Sequence, residues 1–184
     1  MGEAFKDIGF VVIKNHGFTT EIQANIYQEV ERFFNLPDDV KLKYDGSFCG
    51  GQRGYTGKGK EHAAGQKVGD LKEFFQIGNT GNVSVLETPN FLSLGENLYR
   101  AFERAGSSLL QAIALHLNLP VDYFDQRIEN GTSILRAIHY PPITQEPASA
   151  IRAEQHEDIN LITLLVGASA GGLELLSKEG KWLP

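Results

Sequence analysis

Residues 155–166 read QHEDINLITLLV, and the rest of the sequence is best interpreted outward from this stretch. The apolar, largely branched run at 161–166 predicts a buried strand. In extended backbone successive side chains point to opposite faces, so His156 and Asp158 project to one side and Glu157 to the other. One imidazole and one carboxylate can therefore bind a common cation. Together with a second histidine from elsewhere, they would complete the facial triad that holds iron(II) and leaves coordination positions open.

A His-x-Asp pair also has a plainer interpretation, a hydrogen-bonded pair at the start of a strand. The sequence around this pair favours the ligand interpretation. His156 and Asp158 directly precede an apolar strand that could form the rigid wall of a pocket.

Further strands are predicted on both sides of this stretch. Residues 134–140 and 172–176 have strand-like composition and are bounded by turns that contain Pro or Gly. Nearer the N-terminus, the runs GFVVIK at 9–14 and LKEFFQI at 71–77 also predict strands.

Two segments have the periodicity of helices. Thr20 is the predicted N-cap of the first, whose apolar residues recur at helical spacing until Pro37. The longer helix is predicted to begin near Ser93, where Ser93 and Glu96 match a capping box, and to end at Pro120. Helices first and strands last predict an α+β fold with an antiparallel C-terminal sheet.

Residues 45–70 are rich in Gly and Lys and carry no hydrophobic stripe, which predicts a long loop. Long loops within compact domains are often lids or binding loops. The run GYTGKGKE at 54–61 is close to a phosphate-binding loop, but Glu61 stands where Ser or Thr must hold magnesium. No apolar strand leads into it, so we do not predict nucleotide binding.

Composition restricts the class of protein. The 184 residues suit one domain, and 41% hydrophobic and 22% charged residues are typical of a globular chain. The net charge of −6 disfavours nucleic-acid binding, and no apolar run is long enough to cross a bilayer. The single cysteine, Cys49, excludes an internal disulfide and a cysteine-based metal site, which fits a reducing compartment; we expect a cytoplasmic protein.

Five landmarks, taken in order, resemble the isopenicillin N synthase-like branch of the iron(II)/2-oxoglutarate-dependent oxygenases. They cover nearly the whole chain, and the His-x-Asp pair with the two strands that follow is the most specific of them. The landmarks are GFVVIKNHG at 9–17, RFFNLPDDVKLKY at 32–44, DLKEFF at 70–75, SILRAIHYPP at 133–142, and QHEDINLITLL at 155–165 followed by GGLELLSKEGKW at 171–182.

The resemblance implies a fold and a ligand set. The expected fold is a single domain over 1–184 with a double-stranded β-helix, or jelly-roll, core that is incomplete in this chain. Residues 1–131 would be a mixed, mainly helical N-terminal region, and 132–184 the first part of the core. His156 and Asp158 would be metal ligands. The family's second histidine and the Arg-x-Ser pair that holds 2-oxoglutarate belong to later strands, so we expect the sequence to be part of a longer protein.

Two more site residues follow from the resemblance. Tyr140 matches a tyrosine that faces the active site and can hydrogen-bond cosubstrate or substrate, although Ile138 stands where some relatives have a pocket asparagine. Arg53 matches a loop arginine that can hold a substrate carboxylate. The plainer alternatives are ordinary strand packing for Tyr140 and a solvated loop cation for Arg53. His139 should face away from Tyr140 and have a structural or surface role.

The implied function is an oxidoreductase that uses iron(II), 2-oxoglutarate and dioxygen to hydroxylate, desaturate or cyclise a small organic substrate. A substrate with a carboxylate would suit Arg53. A second hypothesis is a non-catalytic jelly-roll module that binds a small ligand or a partner without iron. A third is a fragment whose missing strands come from another copy of the chain.

Overall fold

The computed structural model describes residues 1–60, 70–129, 131–143, 155–156, 158–166 and 171–183. Its helices are α1 (Gly2–Asp7), α2 (Thr20–Phe34), α3 (Asp38–Lys41), α4 (Phe91–His116) and α5 (Asp125–Ile128), with 3₁₀ turns at Leu42–Tyr44 and Gly46–Cys49. Its strands are β1 (Gly54–Thr56), β2 (Glu73–Ile77), β3 (Leu135–His139), β4 (Leu175–Leu176) and β5 (Trp182–Leu183). None of the helices in these ranges is both long and apolar enough to cross a membrane.

The described residues fall into two compact units, one within 1–17, 102–130 and 160–184 and the other within 18–101 and 131–159. In the first unit, β4 and β5 form an antiparallel pair. In the second, β1, β2 and β3 form an antiparallel sheet in that order. Helices together with antiparallel strands confirm the α+β prediction.

The register of the three-stranded sheet assigns its side chains to two faces. Glu73 lies opposite His139, and Phe75 lies opposite both Tyr55 and Ala137. Because paired residues share a face and alternate residues share a face, the "helix face" carries Tyr55, Glu73, Phe75, Ile77, Leu135, Ala137 and His139. The "opposite face" carries Thr56, Phe74, Gln76, Arg136 and Ile138.

Aromatic rings from the helices cover the helix face. Phe33 of α2 is 0% exposed, and its ring centroid lies 5.0 Å from that of Phe75 and 5.8 Å from that of Tyr55. Phe91 of α4 lies 5.4 Å from Phe33 and 4.9 Å from Phe75. Burying such a ring stabilises a fold by about 2–3 kcal/mol. These packed aromatic rings therefore support the helix face of the sheet.

Helix α2 agrees with its sequence prediction to within one residue. The N-cap is Thr19, whose hydroxyl accepts a hydrogen bond from the Ile22 amide at 3.2 Å, and not Thr20. Its buried residues are Ile26, Glu29, Phe33 and Phe34, which recur at helical spacing. The helix ends at Phe34, before Pro37, as predicted.

The predicted capping box of α4 is wrong. The helix begins at Phe91, two residues earlier, and the Ser93 hydroxyl donates to the Asn90 carbonyl at 3.0 Å. The carboxylate of Glu96 accepts a hydrogen bond from the side chain of Asn82 at 2.9 Å, so it does not turn back towards the helix start. A tertiary contact has replaced the local one.

Asn82 closes the loop that follows β2. Its carbonyl oxygen accepts from the Gly78 amide at 2.8 Å, and its Nδ2 donates to the Gly78 carbonyl at 2.9 Å. The same Nδ2 donates to Glu96 Oε1. One side chain therefore holds the loop shut and attaches it to α4.

Three predicted strands are confirmed in whole or part: 71–77 contains β2, 134–140 contains β3, and 172–176 contains the short β4. The predictions at 9–14 and 161–166 are wrong, because neither segment forms a ladder with any part of the described chain. Branched apolar composition suits a strand, but only pairing makes one.

The predicted loop at 45–70 is also partly wrong. Residues 54–56 form β1, which pairs with β2. The strand enters through Gly54, which has φ +74°, and a Cβ there would lie 2.5 Å from the Tyr44 carbonyl oxygen. Only glycine tolerates both this conformation and this approach. Residues 61–69 of the predicted loop lie outside the described residues.

Candidate functional site

The structure brings His156 and Asp158 together. Nε2 of His156 lies 3.7 Å from Oδ1 of Asp158, and the two side chains are 61% and 50% exposed. Glu157, predicted to point the other way, lies outside the described residues. Because ligand atoms bind a divalent metal at about 2.1 Å, one ion can contact both atoms at this separation. An imidazole nitrogen and a carboxylate oxygen are also a suitable donor pair for iron(II).

A third ligand does not join this pair from the described part of the chain. Within the described ranges, no three side chains of His, Cys, Asp or Glu gather closely enough to hold a metal ion. Among the residues that the structure describes, His156 and Asp158 are therefore a pair of candidate ligands without a third.

Tyr140 follows β3 directly and is partly exposed. The proline ring of Pro141 restricts the backbone of the preceding residue to extended conformations. Alternation along β3 turns His139 to the helix face, and the same alternation continued by one residue would place Tyr140 on the side of Ile138 and Arg136.

Arg53 is held against the loop after β2. Its guanidinium donates to the carbonyls of Thr80 at 2.8 Å and Gln52 at 2.6 Å, and to the side-chain oxygen of Asn79 at 3.2 Å. These contacts use three of the five N–H donors of a guanidinium. Arg53 therefore connects two loops in this structure, and two of its donors make no bond to the described residues.

The opposite face of the sheet carries a second arginine. The guanidinium carbon of Arg136 lies 4.3 Å from the ring centroid of Phe74, and its Nε donates to Gln76 Oε1 at 3.1 Å. The Gln76 amide group in turn donates to the carbonyl of Gly51. Gln76 is buried, so both ends of its amide are satisfied inside the fold.

Sequence reasoning missed a set of ionisable groups that gather around the buried carboxylate of Glu73, which we name the buried charge cluster: Lys41, Tyr55 and His139, which contact Glu73, and the exposed Asp38, which contacts Lys41. Glu73 is 1% exposed. Its Oε2 accepts from Lys41 Nζ at 2.8 Å and from the Tyr55 hydroxyl at 2.6 Å, and its Oε1 lies 2.8 Å from Nδ1 of His139.

Lys41 completes the cluster. Its ammonium group also lies 2.9 Å from Oδ1 of Asp38 and donates to the Phe34 carbonyl at 3.3 Å. All three of its N–H donors are therefore used. A buried charge is tolerated when it is paired and fully hydrogen-bonded, and this arrangement meets both conditions.

The contacts set the charges of these groups. Burial raises the pKa of the Glu73 carboxyl, but hydrogen bonds from Lys41, Tyr55 and His139 outweigh it and leave that pKa below its ordinary value. Burial lowers the pKa of Lys41, and the bonds to Glu73 and Asp38 reverse the effect and raise it. Burial and the bond to Glu73 both raise the pKa of Tyr55. Glu73 is thus ionised at neutral pH, and His139 Nδ1 donates to it.

Comparison with known proteins identifies the family. Residues 1–94 match the family model described as "non-haem dioxygenase in morphine synthesis N-terminal". The chain belongs to this non-haem dioxygenase family. The resemblance found in its motifs is therefore confirmed.

Relatives of this chain include curated and crystallised proteins. It is 31% identical over 202 residues to the 2-oxoglutarate-dependent dioxygenase ecdK of Aspergillus rugulosus, covering 96% of this chain and 61% of that protein. A crystallised 2OG-Fe(II) oxygenase family protein from Caulobacter crescentus is 37% identical with a TM-score of 0.85, over 100% of this chain and 63% of that one. A Neurospora crassa protein, crystallised in complex with alpha-KG and thymine, is 25% identical with a TM-score of 0.74, over 92% and 58%.

The chain thus spans about six-tenths of the length of the relatives it matches. The dioxygenase match rests on the same region that holds most of the buried charge cluster, since Lys41, Tyr55 and Glu73 all lie within 1–94. One sequence signal could have revealed the cluster. Glu73 alternates with Phe75 and Ile77 and so shares their face of the strand, and a carboxylate on an apolar face needs a buried partner.

Proposed function

We propose that the whole protein is an iron(II)- and 2-oxoglutarate-dependent oxygenase that oxidises a small organic molecule, with His156 and Asp158 as two of its metal ligands. The observation that carries this proposal is the 3.7 Å separation of His156 Nε2 and Asp158 Oδ1 in a member of the dioxygenase family. The relatives support it, because their names and bound molecules include 2-oxoglutarate, iron and thymine.

Each ligand has a distinct role in this proposal. His156 would supply a neutral nitrogen donor, and Asp158 an anionic oxygen donor that offsets part of the charge of the metal. Both side chains are about half exposed, so a metal and its cosubstrate can reach them from solvent. When bound, iron(II) with 2-oxoglutarate and dioxygen supplies the oxidising power needed to attack an unreactive C–H bond, while 2-oxoglutarate becomes succinate and carbon dioxide.

Two further residues, Tyr140 and Arg53, would bind and orient the cosubstrate or the substrate. Tyr140 would donate a hydrogen bond from its hydroxyl to cosubstrate or substrate, from the end of a strand whose other face is packed against helices. Arg53 would bind a substrate carboxylate with the two donors that its loop contacts leave over. Its existing contacts would hold the guanidinium in one orientation and so lower the entropic cost of binding.

We further propose that β3 and residues 155–183 contribute to a double-stranded β-helix core. The antiparallel pairing of β3 with β2 and of β4 with β5 is compatible with such a core. The likeness to the Caulobacter crescentus and Neurospora crassa structures supports it.

The test of the metal site is an anaerobic titration of the whole protein with iron(II). We expect His156→Ala and Asp158→Ala each to weaken iron(II) binding more than tenfold, because each removes a direct ligand. His16→Ala, which removes another exposed imidazole, is the matched control and should bind as the unchanged chain does. Equal affinities for all four proteins would show that this pair does not bind iron.

A further inference from the structure

The buried charge cluster joins every strand of the three-stranded sheet to helix α3. Tyr55 belongs to β1, Glu73 to β2, His139 to β3 and Lys41 to α3. One carboxylate accepts from the other three side chains at 2.6–2.8 Å. Displacing any one of these elements would therefore break a buried, charge-assisted hydrogen bond.

His139 is held in two independent ways. Its Nδ1 donates to Glu73 Oε1 at 2.8 Å, and its ring stacks on that of Phe34, with centroids 5.1 Å apart and planes inclined by 29°. The hydrogen bond fixes the ring within its plane, and the stacking fixes the plane itself. Little rotational freedom remains for this side chain.

The constraint on His139 also limits the next residue, Tyr140. Tyr140 lies between His139, which is the last residue of β3, and Pro141, which confines the Tyr140 backbone to extended conformations. An extended residue beside a fixed one must direct its side chain to the opposite face of the sheet. The direction of the Cα–Cβ bond of Tyr140 is thus set from both sides, although the side chain itself is partly exposed.

We infer that His139, held by Glu73 and Phe34, is a positioning residue that fixes the direction in which the Tyr140 side chain leaves the sheet. The sheet transmits this constraint from its buried face to the face where Tyr140 would meet a ligand. That Tyr140 contacts 2-oxoglutarate or substrate rests on the proposed function. The dependence of the Tyr140 position on His139 does not rest on the proposed function.

The first experiment reads the position of Tyr140 without any ligand. The chain contains six tyrosines, so uniform labelling with 3-fluorotyrosine gives a small set of fluorine NMR signals, and Tyr140→Phe assigns one of them. We expect His139→Phe, which keeps a ring over Phe34 but removes the donor to Glu73, to shift and broaden the Tyr140 signal. His139→Asn, which keeps a donor close to the Nδ1 position, should restore it in part.

The controls separate positioning from general loss of structure. His116→Phe makes the same chemical change at the end of α4 and should leave the Tyr140 signal in place. Tyr55 shares Glu73 with His139, so its signal should move in His139→Phe and report that the cluster has changed. If the Tyr55 signal moves while that of Tyr140 keeps its position and width, the inference is overturned.

A second variant covers the case in which His139→Phe does not fold. Phe34→Leu removes the ring stacking and keeps the bond between His139 and Glu73. It should broaden the Tyr140 signal, because His139 gains freedom about its remaining contact. A Tyr140 signal that stays unchanged in this variant also overturns the inference.

The second experiment tests the functional consequence in the whole protein, by equilibrium dialysis of 2-oxoglutarate in the presence of manganese(II). We expect His139→Phe to weaken binding by roughly three- to tenfold, the loss of one hydrogen bond. In a Tyr140→Phe background the same change should have no further effect, because His139 acts through Tyr140. If the losses in 2-oxoglutarate affinity from the two substitutions add, the functional part of the inference is overturned. Absence of 2-oxoglutarate binding by the unchanged whole protein would count against the proposed function instead, and the fluorine signals would still decide the positioning role.

Discussion

Replacing Lys41 by methionine should be one of the most destabilising single changes in this chain. Methionine keeps most of the length and the apolar stem of lysine but removes the ammonium group. That group donates to Glu73 at 2.8 Å and to the Phe34 carbonyl at 3.3 Å, and it lies 2.9 Å from Asp38. The change leaves the Glu73 carboxylate in the core with only Tyr55 and His139 as donors.

The size of the effect follows from the burial of the pair. The side chains of Lys41 and Glu73 are 3% and 1% exposed. Removing one partner of such a pair costs about 3–5 kcal/mol, because the remaining charge stays in the interior without compensation. With a urea dependence of about 2 kcal/mol per M, the unfolding midpoint should fall by roughly 2 M.

Urea unfolding followed by far-UV circular dichroism measures this change. Lys43→Met, at an exposed lysine two residues further on, is the matched control and should alter the free energy of unfolding by less than about 0.5 kcal/mol. The double variant Lys41→Met/Glu73→Gln should be more stable than Lys41→Met alone, because the buried side chain that lost its ammonium partner is then uncharged. If Lys41→Met and Lys43→Met cost the same, the cluster does not stabilise the fold as argued.

Three further predictions follow from the fold. Because the pKa of Glu73 is lowered in the folded state, its contribution to stability is complete above the ordinary value of 4.5 and is lost as the pH falls through the folded value. The pKa values of Lys41 and Tyr55 are raised in the folded state, so their contributions to stability are complete below 10.5 and 10.0 and are lost at higher pH. Urea midpoints measured across pH should therefore fall at both extremes, and a Glu73→Gln variant that keeps the full acid decline would contradict this. Thr19→Ala should cost about 1 kcal/mol through the lost N-cap, and Thr20→Ala clearly less; equal costs would mean that Thr19 does not cap α2. Phe33→Ala should cost about 3–5 kcal/mol, against little for the exposed Phe48→Ala, and calorimetric melting of both variants checks the contrast.

The candidate metal pair could be predicted from the sequence because its geometry is local. His156 and Asp158 are two residues apart, and the alternation of extended backbone alone puts them on one side. Helix α2 was predictable for a similar reason, since caps and helical spacing are properties of neighbouring residues.

The buried charge cluster could not be predicted in the same way. Lys41 and Glu73 are 32 residues apart, and Glu73 and His139 are 66 apart, so only the register of the sheet brings them together. The strands predicted at 9–14 and 161–166 failed for a related reason. Their composition indicates which side chains a strand could bury. Whether a strand forms also depends on a hydrogen-bonded partner strand, which the local sequence does not specify.

The closed loop after β2 has a consequence for covalent modification. Asn82-Val83-Ser84 matches the acceptor pattern for N-linked sugars, and the nitrogen that would carry the sugar is the Nδ2 atom that donates to both Gly78 and Glu96. A transferase would have to reach this nitrogen before the loop folds, and an attached glycan would remove at least one of the two bonds. In the folded protein the acceptor is therefore protected by its own hydrogen bonds, so a match to the motif does not make Asn82 a site for sugar.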